Sequence, residues 1–241
     1  MDHKKVVAIS QSNYIPWKGY FDIIQNCSCF VFLDDVQYTR RDWRNRNKIN
    51  TPQGPSWLTI PVQSKGNYAN LRILDVEVSE NDWAEKHWNM IQQNYRKAPF
   101  FAEIQRWLQP LYVSMKTYTS LSAINQSFIA AICSYLSIPT HFQRSTDFFD
   151  LQTLDAFSPT ERLLEICKKM EATSYISGPA AQSYMDIQLF EKEKIVVHWA
   201  NYSNYPDYPQ QMAFEHSVSI IDMLMNVGPQ TKNYLKGASL L

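Results

Sequence analysis

Residues 6–48 read VVAISQSNYIPWKGYFDIIQNCSCFVFLDDVQYTRRDWRNRNK. An apolar run at 6–9 leads into a polar loop at 10–19 and a short amphipathic segment at 20–26. A second apolar run, at 29–33, ends in Asp34 and Asp35. Runs of four or five consecutive apolar residues read as strands buried on both faces, the kind found in parallel sheets. Two of them joined by a helix make a Rossmann-like βαβ start. In open α/β sheets, ligands bind beyond the carboxyl ends of the strands, and the loops at 10–19 and 34–48 both leave from those ends. They are expected to meet in one cleft.

Outward from that unit, residues 39–50 carry Arg40, Arg41, Arg44, Arg46 and Lys48 around Trp43. Guanidinium groups match phosphate or carboxylate oxygens in bidentate geometry, so Arg44 and Arg46 are candidates for holding an anion. The TPQGP turn at 51–55 precedes a predicted strand at 57–62. A bend at 67–70 and an alternating partner strand at 71–78 complete an inserted β-hairpin. Helical spacing follows at 79–98, with Ser79 or Asn81 as cap, then at Phe101–Met115 and at 121–136. A short strand at 140–144, a helix at 159–170, a strand at 175–177 and a helix at Ile187–Lys192 come next. A strand at 195–199 and a final helix at 218–226, capped by Ser217 and ended by Gly228, close the chain. This alternation predicts an α/β fold in three layers: a mostly parallel sheet, with a helical subdomain at about 79–136 inside one domain spanning 1–241.

Composition narrows the classes of function. The formal net charge is zero, so no global basic field points to nucleic acid. No apolar stretch approaches the roughly 18 residues of a membrane span. The N-terminal MDHKK runs straight into a strand, so no signal peptide is expected. The four cysteines form no C-x-x-C pair, which predicts reduced thiols in a cytoplasmic protein and no structural metal. There is no P-loop, no Gly-x-Gly-x-x-Gly and no Gly-x-Ser-x-Gly elbow, so no bound cofactor and no serine nucleophile are expected.

The polar residues at strand and helix ends supply the catalytic candidates. Asp34 and Asp35 end a buried strand, and either suits a base, a hydroxyl acceptor or an arginine partner. His198 ends another strand. His216 precedes the predicted Ser217 cap, where a neutral imidazole would serve as base toward an amine and Ser217 would sit at an anion-attracting helix end. Ser177 and Gly178 resemble a small backbone nest for an oxyanion or phosphate. His87, beside Trp83 and Tyr95 on an apolar helix face, reads as core.

The motifs Gln11-x-x-Tyr14-x-Pro16-Trp17-x-Gly19-Tyr20-Phe21, Leu33-Asp34-Asp35-x-Gln37-Tyr38 and Trp43-x-Asn45-Arg46-Asn47 resemble the WbqC-like family. The likeness continues through Trp57-Leu58-Thr59-Ile60-Pro61, Tyr175-x-Ser177-Gly178, Tyr208-x-Gln210 and residues 217–222. It implies a role in bacterial surface-polysaccharide (O-antigen) synthesis: attaching an acyl or aminoacyl group to the amino group of a nucleotide-linked deoxyamino sugar. On that resemblance Gln11, Tyr14, Trp17, Tyr20, Gln37, Asn47, Tyr208 and Gln210 are expected to bind substrate. The co-substrate implied is an acyl or aminoacyl thioester on coenzyme A or an acyl carrier protein. A non-catalytic binder of sugar or polysaccharide intermediates is the alternative. A second likeness, to His-x-Gly-His nucleotidylyl-transferases, leaves Trp17 and Tyr20 where the two histidines would stand, and a divergent enzyme of that kind is the second alternative.

Overall fold

The computed structural model describes residues 5–63 and 71–237. The sequence-predicted bend at 67–70 lies outside them. The first strand, β1 (Val6–Ser10), is followed by α1 (Lys18–Gln25) and β2 (Cys29–Phe32), and β1 and β2 pair in parallel. A hairpin of β3 (Arg46–Ile49) and β4 (Ser56–Thr59) comes next. Three helices follow: α2 (Trp83–Tyr95), α3 (Phe101–Met115) and α4 (Leu121–Tyr135). The chain then alternates through β5 (His141–Arg144), α5 (Leu151–Ala156), α6 (Pro159–Lys169) and β6 (Ser174–Ser177). It finishes with α7 (Ile187–Lys192), β7 (Val196–Trp199) and α8 (Ile220–Val227).

The sheet is entirely parallel in the order β5-β2-β1-β6-β7. Side chains alternate across it, as the two-residue period of a strand requires. Val7 and Ile9 of β1, with Cys29 and Val31 of β2, join a core containing Leu163, Ile166 and Cys167 of α6 and Phe190 of α7. Ala8, Phe30 and Phe32 face the larger core built with α1, α2, α3, α4 and α8. Helices on both faces explain why these strands read as unbroken apolar runs: neither side meets water. The sequence-predicted three-layer α/β arrangement is therefore present.

Two boundaries differ. The inserted hairpin exists, but the partner of β4 is the basic segment at Arg46–Ile49, joined through the 51–55 turn with Gly54 at φ +100°. Arginine and lysine alternate there with buried Asn47 and Ile49, a half-buried strand pattern that charge had obscured. Residues 71–78 form a 3-10 turn (Ile73–Asp75) and isolated bridges, including Val62 to Val78. The first long helix begins at Trp83, after Asp82, with no side-chain cap from Ser79 or Asn81.

Candidate functional site

Between β1 and β6 the strand order reverses direction, the switch point at which open parallel sheets bind ligands. A cavity of about 330 Å³ lies in the loops there, lined by Asn13, Pro16, Trp17, Trp43, Asn47, Tyr202 and Ser217. Trp17 packs edge-on against Tyr202 at 5.3 Å and Tyr205 at 5.4 Å, giving one aromatic wall. Gly19 makes that wall fit, because a Cβ there would come within 2.4 Å of the indole.

The loop after β1 is held from two sides. Asn47 Nδ2 donates to the carbonyls of Tyr14 (3.3 Å) and Ile15 (2.9 Å), and Ser219 Oγ donates to the same Ile15 carbonyl (2.7 Å). Ile220 N–H donates to Pro16 O and Ser219 N–H to Lys48 O. Ile15 has φ +35°, a strained value for a β-branched residue. Strain of this kind persists only where surrounding bonds over-determine the backbone, and it concentrates at functional loops.

Next in sequence to the cavity residues Trp17 and Ser217 come Lys18 and His216, neither of which is among the residues lining it. Lys18 is the first residue of α1 and is 3% exposed. Its Nζ lies 2.6 Å from His216 Nδ1, and His216 Nε2 lies 3.1 Å from Asp207. The ammonium also sits 5.0 Å from the Tyr205 ring and 5.3 Å from Tyr208. Burial drives the Lys18 pKa down from 10.5 to about 8, against the opposing pull of Asp207, Asp22 and Asp222. Two proton arrangements fit the short contact. As an ammonium, Lys18 donates to Nδ1 and the ring's Nε2–H faces Asp207. As a neutral amine, Lys18 accepts from Nδ1–H, and Nε2 then carries the lone pair and no longer donates to Asp207.

Of the sequence-predicted site residues, the structure brings Trp17, Asn47 and Ser217 to the cavity. Gln11 and Arg44 stand just behind it: Arg44 donates to Gln11 Oε1 (3.1 Å) and to the side chain of the cavity residue Asn13. Gly178 approaches the cavity residue Tyr202, whose hydroxyl would lie 3.5 Å from a Cβ there. The other residues are placed elsewhere. Asp34 accepts from Ser12 N–H (2.8 Å), Ser122 Oγ (2.5 Å) and Gln126 Nε2 (3.2 Å), tying β2 to the first loop and α4. Asp35 points to the opposite face, taking the Ser145 hydroxyl and an ion pair with Arg162 at 3.2 Å. Its arginine partner is thus Arg162, not Arg44 or Arg46. Gln37 and Asp35 line a separate cavity of about 340 Å³ with Arg72, Asp155 and Arg162.

Tyr14 and Tyr20 are core residues: Tyr14 OH meets His87 Nδ1 (2.9 Å) and Tyr112 OH (2.8 Å), and Tyr20 OH donates to Gln11 O. Burial lowers the His87 pKa to about 4, which fits a neutral core histidine. Ser177 is buried and accepts from Tyr175 OH. Tyr208 donates to buried Asp222 (2.7 Å), which also accepts from Tyr95 OH (2.7 Å). Gln210 braces the 210–215 loop through both termini of its amide. His198, on β7 beside Ile176, does not line the cavity. Arg46 lies on the outer face of the hairpin, its guanidinium 4.1 Å over Trp57. The cap of α8 is Ser219, two residues beyond the predicted Ser217, so His216 belongs to the preceding loop.

Sequence reasoning missed Lys18, Asp207, Asn13 and Pro16 as members of the site. One signal was present: Lys18 is one of two charged residues in the otherwise largely apolar segment WKGYFDII, and it is buried in the fold. Among the described residues no three His, Cys, Asp or Glu side chains gather to hold a metal ion, and no helix is long and apolar enough to cross a membrane. All four cysteines are buried with thiol pKa values pushed up, Cys133 to about 12, which makes them poor nucleophiles.

Fold and cavity define an open parallel α/β protein with an aromatic-walled recess at its switch point. The chain belongs to the WbqC-like protein family, whose model matches residues 11–234. It is also similar to "Uncharacterized protein Rv1507c" of Mycobacterium tuberculosis, with 47% identity over 233 residues, covering 96% of this chain and 98% of that protein. No solved structure matches.

Proposed function

We propose that the protein is a transferase that forms an amide on the amino group of a nucleotide-linked deoxyamino sugar, for O-antigen or another surface polysaccharide. An acyl or aminoacyl thioester, on coenzyme A or a carrier protein, is the co-substrate. The observation that carries this reading is the Lys18–His216–Asp207 chain, two of whose members adjoin in sequence the residues Trp17 and Ser217 of a sugar-sized aromatic recess. Aromatic faces suit the apolar faces of a sugar ring, and a proton acceptor is what an ammonium substrate needs before it can attack.

The steps balance without a cofactor. With Lys18 neutral, His216 Nε2 takes a proton from the sugar ammonium. The amine attacks the thioester carbonyl, the C–N bond forms, and the C–S bond breaks. The thiolate takes up the second proton shed by the nitrogen, and His216 passes the first to solvent. Asp207 sits where it would attract the incoming ammonium. The start of α1 at the cavity wall, with no side-chain cap, adds positive potential for the oxyanion.

One observation favours a non-catalytic sugar binder instead: the carboxylates of Asp34 and Asp35 are both consumed by structural bonds. The test mixes purified protein with a nucleotide-linked 4-amino sugar and acyl or glycyl thioesters, and reads the amide by mass. No product across donors and carriers ends the transferase reading. Loss of turnover with retained binding in His216→Gln supports it, whereas a binder would change in affinity alone.

A further inference from the structure

The cavity is small. Its volume of about 330 Å³ is at the lower end of the roughly 300–1,000 Å³ of small-molecule sites, so a ligand larger than a sugar ring must continue outside it. The surface it would continue onto is distinctive. Trp43, a wall of the cavity, is 43% exposed and lies 5.6 Å from Trp57, itself 40% exposed, with the two rings tilted by 35°. Arg46 and Lys48 alternate onto one face of β3, and Lys48 is directly opposite Trp57 in the hairpin register. The Arg46 guanidinium lies 4.1 Å, and the Lys48 ammonium 5.0 Å, over the same Trp57 ring.

Among the described residues, neither cation has a carboxylate within ion-pair distance. Arg46 spends one donor on the Arg41 carbonyl, and its buried Nε has no partner. Two cations stacked on an exposed indole, with Asp42 acting on Arg46 only from beyond ion-pair distance, lead out of a recess and form a surface with two chemistries. Flat rings recognise a base by stacking, and a guanidinium with an ammonium recognises phosphates.

We propose that the outer face of the β3–β4 hairpin is a nucleoside-diphosphate subsite continuous with the cavity. The phosphates lie against Arg46 and Lys48 and the base on the Trp43–Trp57 pair, which leaves whatever the diphosphate carries to enter the recess. Only the identity of that carried group rests on the transferase reading. The nucleoside-diphosphate site stands on the hairpin and Trp43 alone.

The test is equilibrium binding of uridine and thymidine diphosphates to the full-length protein, read by tryptophan fluorescence and calorimetry. Uridine and inorganic pyrophosphate serve as the half-ligands. The nucleoside diphosphates are expected to bind, with each half-ligand weaker by about tenfold or more. Trp57→Ala and Arg46→Gln should each weaken the diphosphates by about tenfold, with circular dichroism and melting unchanged. No binding by either diphosphate overturns the proposal. So does binding indifferent to both hairpin substitutions, or pyrophosphate binding as tightly as the nucleotides. The failures separate: hairpin-dependent binding without amide formation sinks only the transferase reading, and amide formation indifferent to Trp57 and Arg46 sinks only this subsite.

Discussion

Lys18 is buried where a cation is costly, and the cost should be measurable. Its pKa in the folded protein is about 8, below its ordinary 10.5, and burial is the main cause. Between those two values the unfolded chain binds more protons than the folded one, so this residue makes stability rise with pH across that window. Lys18→Met removes the charge and keeps most of the volume. We expect it to melt at or above the wild-type temperature near pH 7, with the advantage shrinking toward about pH 9.5, while amide formation is abolished. Chemical denaturation at the two pH values checks the first part. On the proposed transferase reading, wild-type turnover should climb as pH passes about 8, because a neutral Lys18 amine would free His216 Nε2. Gly19 makes a second prediction at this scale. Adding a methyl by Gly19→Ala drives a Cβ into the Trp17 indole. Overpacking of this sort costs about 1–3 kcal/mol, and the displaced ring should deform the cavity, seen as altered tryptophan emission and lost ligand binding.

The elements show why some of the site was readable in advance and some was not. The βαβ start was legible because strands covered on both faces have nowhere to put a polar residue. The helices at Phe101–Met115 and Ile187–Lys192 were legible from periodicity alone. Strand β3 was not, since Arg46 and Lys48 read as a solvated run until Asn47 and Ile49 are seen facing inward. The α8 cap was misplaced by two residues for a related reason. Residues 217 and 219 are both serine, and only the fold shows that Ser219 accepts from Ile221 N–H while donating to Ile15 O. The two serines should therefore separate on substitution. Ser219→Ala is expected to cost about 1–2 kcal/mol of stability, and Ser217→Ala close to nothing, measured by urea denaturation. Tyr14, Tyr20 and Tyr208 show a different limit. A phenol in a loop motif looks like a binding group, but the hydroxyls of Tyr14 and Tyr208 have buried partners on other elements and that of Tyr20 is taken by the Gln11 carbonyl, and sequence spacing does not reveal such partners.

For the whole molecule, the two acids after β2 act as fasteners between layers. Asp34 ties the sheet to α4 on one side, and Asp35 ties it to α6 through Arg162 on the other. Removing one partner of a buried pair leaves the other charge uncompensated. Asp35→Ala should therefore destabilise the fold by about 3–5 kcal/mol. Asp35→Ala with Arg162→Met should recover much of that loss in a double-mutant cycle. If these acids were substrate ligands instead, the same substitutions would spare the melting temperature and change affinity.

The central strand β1 borders β2, which follows it closely, and β6, which arrives more than half a chain later. The recess is likewise assembled from residues 13–47 and 202–217, two segments far apart in the sequence. A chain still emerging from the ribosome thus carries the Trp17 wall without Tyr202, and Lys18 without the histidine it touches. Competence arrives in one step, once residues 202–217 have been made, and products that stop short of them are expected to be inert instead of weakly active.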